Sequence, residues 1–525
     1  MARAIDAERA VQEALRRRDF AAALATAHHL QRSDPRSATG WLMEHEILRA
    51  QGKPAEALAA AQQAVQVDQR SVRAWLQLAL SLRSLRRWNE SRAALTSAEA
   101  TAERAEEWAQ VGGALTHAGQ HSRACAAYDR AVSLDPSRPV YFFNRAASRR
   151  FLGQLAEAER DYDRVINFDP DDVEAWLNRS ELRTQTPENN HLQALEARLA
   201  HGFPRPVNEV PIRYALAKEY EDLADYASSW KHLVAGAQLR RRHLQYDVRA
   251  DVATVDWIIE AFAAAGSGIH GLGTEEPIFI VGMPRTGTTL LERLLAGHRD
   301  VFAAGELTSF AEAVVSAAQS KLGRVPRDRR ELVATSAQVD FAALGADYLD
   351  RSRATTGHTA RFTDKMPLNY LYCGIIRRAL PRARILHLTR HPLATCYAVY
   401  KILFNQGYPF SYDLGEIAEY YIAYRRLMAH WHSVHPGQIL EVSYERLVQE
   451  PQAESRRVFE FCGLEWDPTV TEVSARAGPS TTASAAQIRR PIYSTSVDSW
   501  RHYAEGLRPV AERLRRAGIE IPQSQ

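Results

Sequence analysis

Cysteine is scarce: four residues in 525, at Cys125, Cys373, Cys396 and Cys462, far apart and without a C-x-x-C pair. That spacing excludes a disulfide framework and a cysteine zinc site, so the four read as buried free thiols. There is no run of about 18 apolar residues, and the first twenty, MARAIDAERAVQEALRRRDF, read as a charged amphipathic helix without the apolar stretch of a secretory leader. The expectation is a cytoplasmic chain with no membrane span. Charge of one sign is also missing. Lys and Arg number 66 against 63 Asp and Glu, a net charge of +3, which gives no bulk attraction to nucleic acid or membrane. Recognition therefore rests on local sites. The rest of the composition, 46% hydrophobic and 25% charged, is that of a globular protein, and the length asks for roughly two to four domains.

The first 185 residues repeat. Trp41, Trp75, Trp108, Phe142 and Trp176 are 34, 33, 34 and 34 residues apart. Gly52, Arg86, Gly119 and Gly153 follow at similar offsets, and Asp34-Pro35, Asp68-Gln69, Asp135-Pro136 and Asp169-Pro170 punctuate the same frame. A period near 34 with an early aromatic, a turn residue and a closing Pro is the tetratricopeptide pattern, predicting an α-solenoid over 1–185. Each helix pair leaves an apolar face that its neighbour must cover, so the aromatic stripe reads as core and the concave face as a partner surface. Residues 186–265 read as a degenerate repeat or helical connector, with a helix, turn and helix over Ile212–Arg241. Arg240-Arg241-Arg242-His243 there reads as a solvated helix end, with an acidic partner as the alternative. The glycine-rich stretch from Gly266 to Gly273 marks the boundary with a third segment, 275–525.

That segment opens on PIFIVGMPRTGTTLLERLLAGH, Pro277 to His298. Ile278–Val281 has the composition of a buried parallel strand, and Leu290, Leu291, Leu294 and Leu295 recur at helical spacing. The turn between them, Gly282 to Thr289, brings successive N–H groups and a helix N-terminus onto one anion. Its spacing is nearly that of a Walker A loop, but Thr288 stands where that motif carries Lys. Arg285 supplies the cation instead, and an Arg fork with hydroxyls suits a single 5′-phosphate better than a triphosphate tail. Further on, Pro381–Pro392 reads as a buried strand whose carboxyl end delivers Arg390 into the crevice of the loop. The predicted class is α-solenoid followed by a P-loop-like, doubly wound parallel sheet.

The P-R-[ST]-G-T-T-L core at 284–290 resembles the donor-binding loop of sulfotransferases that use 3′-phosphoadenosine 5′-phosphosulfate, above all the tyrosylprotein and bacterial repeat-fused branches. The resemblance runs from about Pro277 to the C-terminus. It implies that Arg285, Thr286, Gly287, Thr288 and Thr289 hold the 5′-phosphosulfate and Arg390 the 3′-phosphate, with 3′,5′-adenosine bisphosphate as product. Glu306, in a Gly-Glu context after the loop, corresponds to the general base, and Lys365, in its D-K-x-P context, to the catalytic lysine. Read without the resemblance, Glu306 is a solvated acid and Lys365 a surface lysine. Tyr444 in Y-E-x-L-V corresponds to the residue against adenine, or else lies in the core. The C-terminal stretch with Arg490, Trp500 and Arg501, together with Arg489, is similar to the family's cap over the nucleotide.

One departure is Ala398, where the family carries Ser eight residues after its Arg; Lys401 is the candidate substitute. The implied reaction is sulfuryl transfer to an acceptor hydroxyl with no metal; a protein or peptide tyrosine brought by the repeat groove is the favoured acceptor, with glycan, lipid and small phenolic acceptors left open. Such repeats also serve as homodimer contacts. Two alternatives stand beside it. A P-loop small-molecule kinase would need a Mg²⁺-binding Asp, for which only Asp364 offers itself. A non-catalytic repeat scaffold would bind nucleotide without turnover.

Overall fold

A computed structural model describes residues 2–85, 87–264, 271–404, 407–472, 492 and 496–522. The chain divides into two compact units, Met1–Ala175 and Trp176–Gln525.

The first unit consists of antiparallel helix pairs, and the 34-residue frame is one pair long. Thr39–Ala50 packs on Pro54–Val67, Val72–Ser84 on Trp88–Thr101, Ala105–His117 on His121–Leu134, and Pro139–Leu152 on Leu155–Phe168. Ala61, Ala64, Ala74, Ala98 and Ala124 are fully buried at these contacts. With only a methyl group to bury, they let helix axes approach closely. Trp41, Trp75 and Trp108 are half-buried against this core and Phe142 is buried, so the stripe is packing, as the period implies.

In the second unit five strands form one parallel sheet among the described residues, in the order β2-β3-β1-β4-β5. They are β1 Pro277–Gly282, β2 Val301–Ala303, β3 Arg361–Asp364, β4 Arg384–Thr389 and β5 Ile439–Ser443. In β1, Ile278 and Ile280 point into one apolar cluster with the helices Thr288–Leu295 and Pro451–Cys462, while Phe279 and Val281 point into another. That second cluster holds the helices Val248–Ala261, Ser309–Leu322 and Leu414–Val434. A strand covered on both faces must be apolar at every position, which is why β1 reads as a continuous run rather than an alternation.

The helices Glu209–Asp222 and Tyr226–Arg242 share this core through Val210, Tyr214 and Leu233. The basic helix end expected to be solvated is tied down at Arg240 and Arg241, while Arg242 and His243 are exposed. Arg241 grips both oxygens of Glu416 at 2.8 and 2.7 Å, and Arg240 lies 5.7 Å over the Tyr412 ring. All four cysteines are buried free thiols. No helix among the described residues is long and apolar enough to cross a membrane.

Candidate active site

Every strand delivers its site residue from its carboxyl end: the loop after β1, Glu306 after β2, Lys365 after β3, Arg390 after β4 and Tyr444 after β5. Residues more than 160 positions apart in sequence are thereby gathered along one sheet edge.

The loop is shaped by two glycines that admit no side chain. At Gly282, φ is 152° and a Cβ would meet the Leu388 carbonyl oxygen at 2.5 Å; at Gly287, φ is 101° and a Cβ would lie 2.4 Å from the Tyr444 ring. Arg285 between them adopts φ 66°, a left-handed conformation that costs a residue with Cβ about 1–2 kcal/mol. The Thr286 hydroxyl donates to the Met283 carbonyl at 2.8 Å and closes the turn. The helix Thr288–Leu295 then starts directly from Gly287, leaving its first N–H groups facing the loop.

Arg390 reaches the same place from β4. It donates to the Arg285 carbonyl at 3.1 Å and to the Ser496 carbonyl, and its guanidinium lies 4.8 Å over the Tyr444 ring. The Tyr444 hydroxyl shares a 2.7 Å hydrogen bond with the Ser496 hydroxyl. Tyr444 is therefore a buried wall of the loop, against both Gly287 and Arg390. Trp500 stacks on His391, the neighbour of Arg390, with centroids 4.6 Å apart, whereas Arg501 is exposed and paired with Asp498 at 2.7 Å. Arg489 and Arg490 lie outside the described residues. Ala398 is buried. Lys401 does not take the part suggested for it, because its ammonium contacts both Glu221 oxygens at 3.0 and 3.1 Å.

Across the loop, the fully buried Lys365 sets its ammonium 2.6 Å from Oε1 of Glu306, whose side chain keeps 47% of its exposure. A charged amine with no access to water must be paired, and this half-open carboxylate is its partner. Beneath the pair lie two carboxyls that the sequence reading did not assign to the site. Glu292 accepts from the Gly305 N–H at 3.0 Å and from the Thr363 hydroxyl at 2.9 Å, so it holds the residue preceding Glu306. Burial raises its pKa and the Lys365 charge opposes that rise. Its signal in the sequence is an acid on the otherwise apolar face of the loop helix, beside Leu291 and Leu295.

Asp364 is fully buried. It accepts from the Tyr348 hydroxyl at 3.0 Å and the Asn369 amide at 3.3 Å, with the Leu307 and Met366 backbones as further donors. Burial, with a smaller push from Glu292, brings its pKa to about 8. A carboxyl so enclosed is a poor seat for a water-bearing Mg²⁺, which removes the residue that the kinase alternative needs.

The sign of the Asp364 shift yields a prediction. The folded state keeps the proton that the unfolded chain releases near pH 3.8, so stability falls as pH rises from there to about 8. Relative to an Asp364→Asn variant, the wild type should lose up to about 1.4 kcal/mol per pH unit in that window. Melting both proteins at pH 5, 6, 7 and 8 tests this; a constant difference would show that Asp364 is ionised throughout.

Among the described residues one group of side chains lies close enough to share a metal ion: His387 on β4, Glu441 beside it on β5, and His432. Nδ1 of His387 is 3.5 Å from Nε2 of His432 and 3.7 Å from Oε2 of Glu441. Burial, with the nearby Arg425 charge contributing, lowers both histidine pKa values. Burial, more than the Arg425 charge, favours the neutral form of both imidazoles.

A glycine-shaped turn at a helix N-terminus, with Arg390 beside it and a Lys–Glu pair after the neighbouring strands, belongs to a parallel α/β domain of the P-loop-like class. Residues 277–468 match the model of the sulfotransferase family, and the helix pairs of the 34-residue frame precede them. An uncharacterized protein of Aquifex aeolicus is 31% identical over 371 residues, covering 69% of this chain and 49% of its own length. The chain thus spans about half of that relative. A putative protein-tyrosine sulfotransferase of Caenorhabditis briggsae is 25% identical over 233 residues, covering 43% of this chain and 81% of its own. The sulfotransferase domain from the curacin biosynthetic pathway is 16% identical, with a TM-score of 0.33, covering 48% of this chain and 100% of its own.

Proposed function

We propose that the protein moves a sulfuryl group from 3′-phosphoadenosine 5′-phosphosulfate to an acceptor hydroxyl. The observation that carries this reading is the Lys365–Glu306 pair set beside the Arg285–Arg390 cradle: one cation and one base next to a site for anions. The donor supplies an activated sulfuryl group on a phosphate that departs as a stable anion. Backbone N–H groups at 285–289 and the Thr288 and Thr289 hydroxyls hold its 5′ end, and Arg390 its 3′-phosphate. The acceptor oxygen forms a bond to sulfur as the bond from sulfur to the 5′-phosphate oxygen breaks; that oxygen keeps the electron pair, and the acceptor proton passes to Glu306. Lys365 neutralises charge on the leaving and sulfuryl oxygens. Lys365 and Glu306 satisfy each other, so an anion that draws Lys365 away also releases Glu306 to act as base. The names of the tyrosine-sulfating relatives and the repeats support a protein tyrosine as acceptor, with the first unit recruiting the partner and cytoplasm as the compartment.

Calorimetric titration with 3′,5′-adenosine bisphosphate, with Mg²⁺-ATP in parallel, tests the donor class without knowledge of the acceptor. Binding of the bisphosphate that is lost in Arg390→Ala is the expected result. Preferential binding of Mg²⁺-ATP would instead favour a kinase, and binding of neither a scaffold. Gly287→Ala, which forces a Cβ into Tyr444 at positive φ, should weaken bisphosphate binding by about tenfold or more, or about 1.4 kcal/mol. Its melting temperature should fall as well, because an Ala at φ 101° is strained and displaces the buried Tyr444 ring, so the titration is run well below the variant's melting temperature.

A further inference from the structure

His387 sits in the middle of β4, and β5 pairs with it in a register that sets Glu441 directly alongside. Paired residues of neighbouring strands share a face of the sheet, and the helix Leu414–Val434 lays His432 against that face, its ring 5.7 Å from the His387 ring. Because β5 is the edge strand among the described residues, the group is enclosed on one side and open on the other. The His387 side chain keeps 1% of its exposure, His432 34% and Glu441 52%.

Nδ1 of His387 and Nε2 of His432 are 3.5 Å apart, and Oε2 of Glu441 lies 3.7 Å from the first and 3.9 Å from the second. These separations are too long for good hydrogen bonds, so three polar atoms converge without satisfying one another. At His387 the consequence is sharpest, since a buried ring nitrogen calls for a partner. The same separations approach the spacing of ligand atoms around one tetrahedral ion, whose bonds of about 2.0–2.1 Å give edges of about 3.3–3.4 Å. An octahedral ion with bonds of that length would need adjacent ligands about 2.9 Å apart, a poorer match.

The surroundings suit ligation. Nε2 of His387 is hydrogen-bonded to the Tyr424 hydroxyl, an outer contact of the kind that fixes a ligand imidazole in place. Both imidazoles are held in the neutral form that a metal requires, and Glu441 supplies a negative charge. The charge of Arg425 acts against a cation here, so its removal should tighten binding.

We propose that His387, His432 and Glu441 form a binding site for a zinc-class divalent cation, with two imidazoles and one carboxylate as ligands and the fourth position open to water. The ligands come from β4, β5 and the helix Leu414–Val434, so the ion ties the sheet edge to the helix that covers it. The site stands apart from the proposed transfer chemistry, and neither reading depends on the other.

The full chain, freed of metal with a chelator, is titrated with Co²⁺, whose visible absorption is strong in four-coordinate sites and weak in six-coordinate ones. One equivalent with a strong spectrum that Zn²⁺ abolishes is the expected result. His432→Ala and Glu441→Gln, at partly exposed positions, should each weaken Co²⁺ binding by at least tenfold, and Arg425→Gln should strengthen it. Zn²⁺ should raise the melting temperature of the wild type but not that of His432→Ala. X-ray absorption of the Zn²⁺-loaded wild type needs no variant, and should show two imidazoles among four nitrogen and oxygen ligands at about 2.0 Å. A lack of stoichiometric binding, a six-coordinate spectrum, fewer than two imidazoles, or binding that both ligand variants leave unchanged would overturn the proposal.

Discussion

Replacing Lys365 by Ala should lower turnover at saturating donor and acceptor by about 10²- to 10³-fold, the usual cost of losing one preorganised donor to transition-state charge. The ammonium is fully buried and held 2.6 Å from Glu306, so no water or neighbouring lysine can stand in for it without rebuilding the site. Affinity for 3′,5′-adenosine bisphosphate should change only a few-fold, because the loop and Arg390 are untouched. Stability should also fall. The Lys365 charge counters the upward push of burial on Glu292, and its removal leaves that buried carboxyl without this counter-charge. Single-turnover kinetics with labelled donor, read beside a thermal melt and a bisphosphate titration, separate the two effects. Near-normal turnover with saturating acceptor would mean that Lys365 is structural only.

Glu306→Gln should cost about 10²- to 10⁴-fold in turnover, the range of general-base catalysis. This variant isolates proton acceptance, because the amide oxygen can still accept from Lys365 while no longer taking a proton. With 47% of its side chain exposed, Glu306 contributes little to the core, so the melting temperature should barely move. Acceptor acidity provides a further readout. A phenol already ionised in solution has no proton to give up, so the deficit of Glu306→Gln should shrink as the acceptor pKa falls. A deficit independent of acceptor pKa would assign Glu306 to orienting Lys365 rather than to accepting the proton.

The Gly282–Gly287 turn, the β1 run and the 34-residue aromatic frame could all be read from local pattern. Each is a short-range constraint: a glycine where a Cβ has no room, an apolar strand covered on both faces, an aromatic once per helix pair. The end of β4 was legible too, because Arg390 follows an apolar segment, whereas Lys365 was singled out by the family resemblance. Glu292 was not legible, since an acid on a helix face is solvated far more often than buried, and only the return of β3 and Gly305 over that face encloses it. Lys401 was misjudged for a related reason. Its sequence neighbourhood points at the nucleotide, but Glu221, 180 residues earlier, offers a nearer counter-charge.

By itself the sequence determined that the protein pairs a helical-repeat segment with a P-loop-like α/β domain, because periodicity, turn chemistry and strand burial are written into neighbouring residues. Only the tertiary structure decided which charges meet. Lys365 with Glu306, Arg390 with Arg285 and Ser496, and Arg241 with Glu416 join residues far apart in the chain, and the electrostatic balance of the site follows from those pairings. The physical reason is range: hydrophobic periodicity acts over a few residues, whereas the pairing of a buried charge is set by whatever the folded chain brings within about 4 Å.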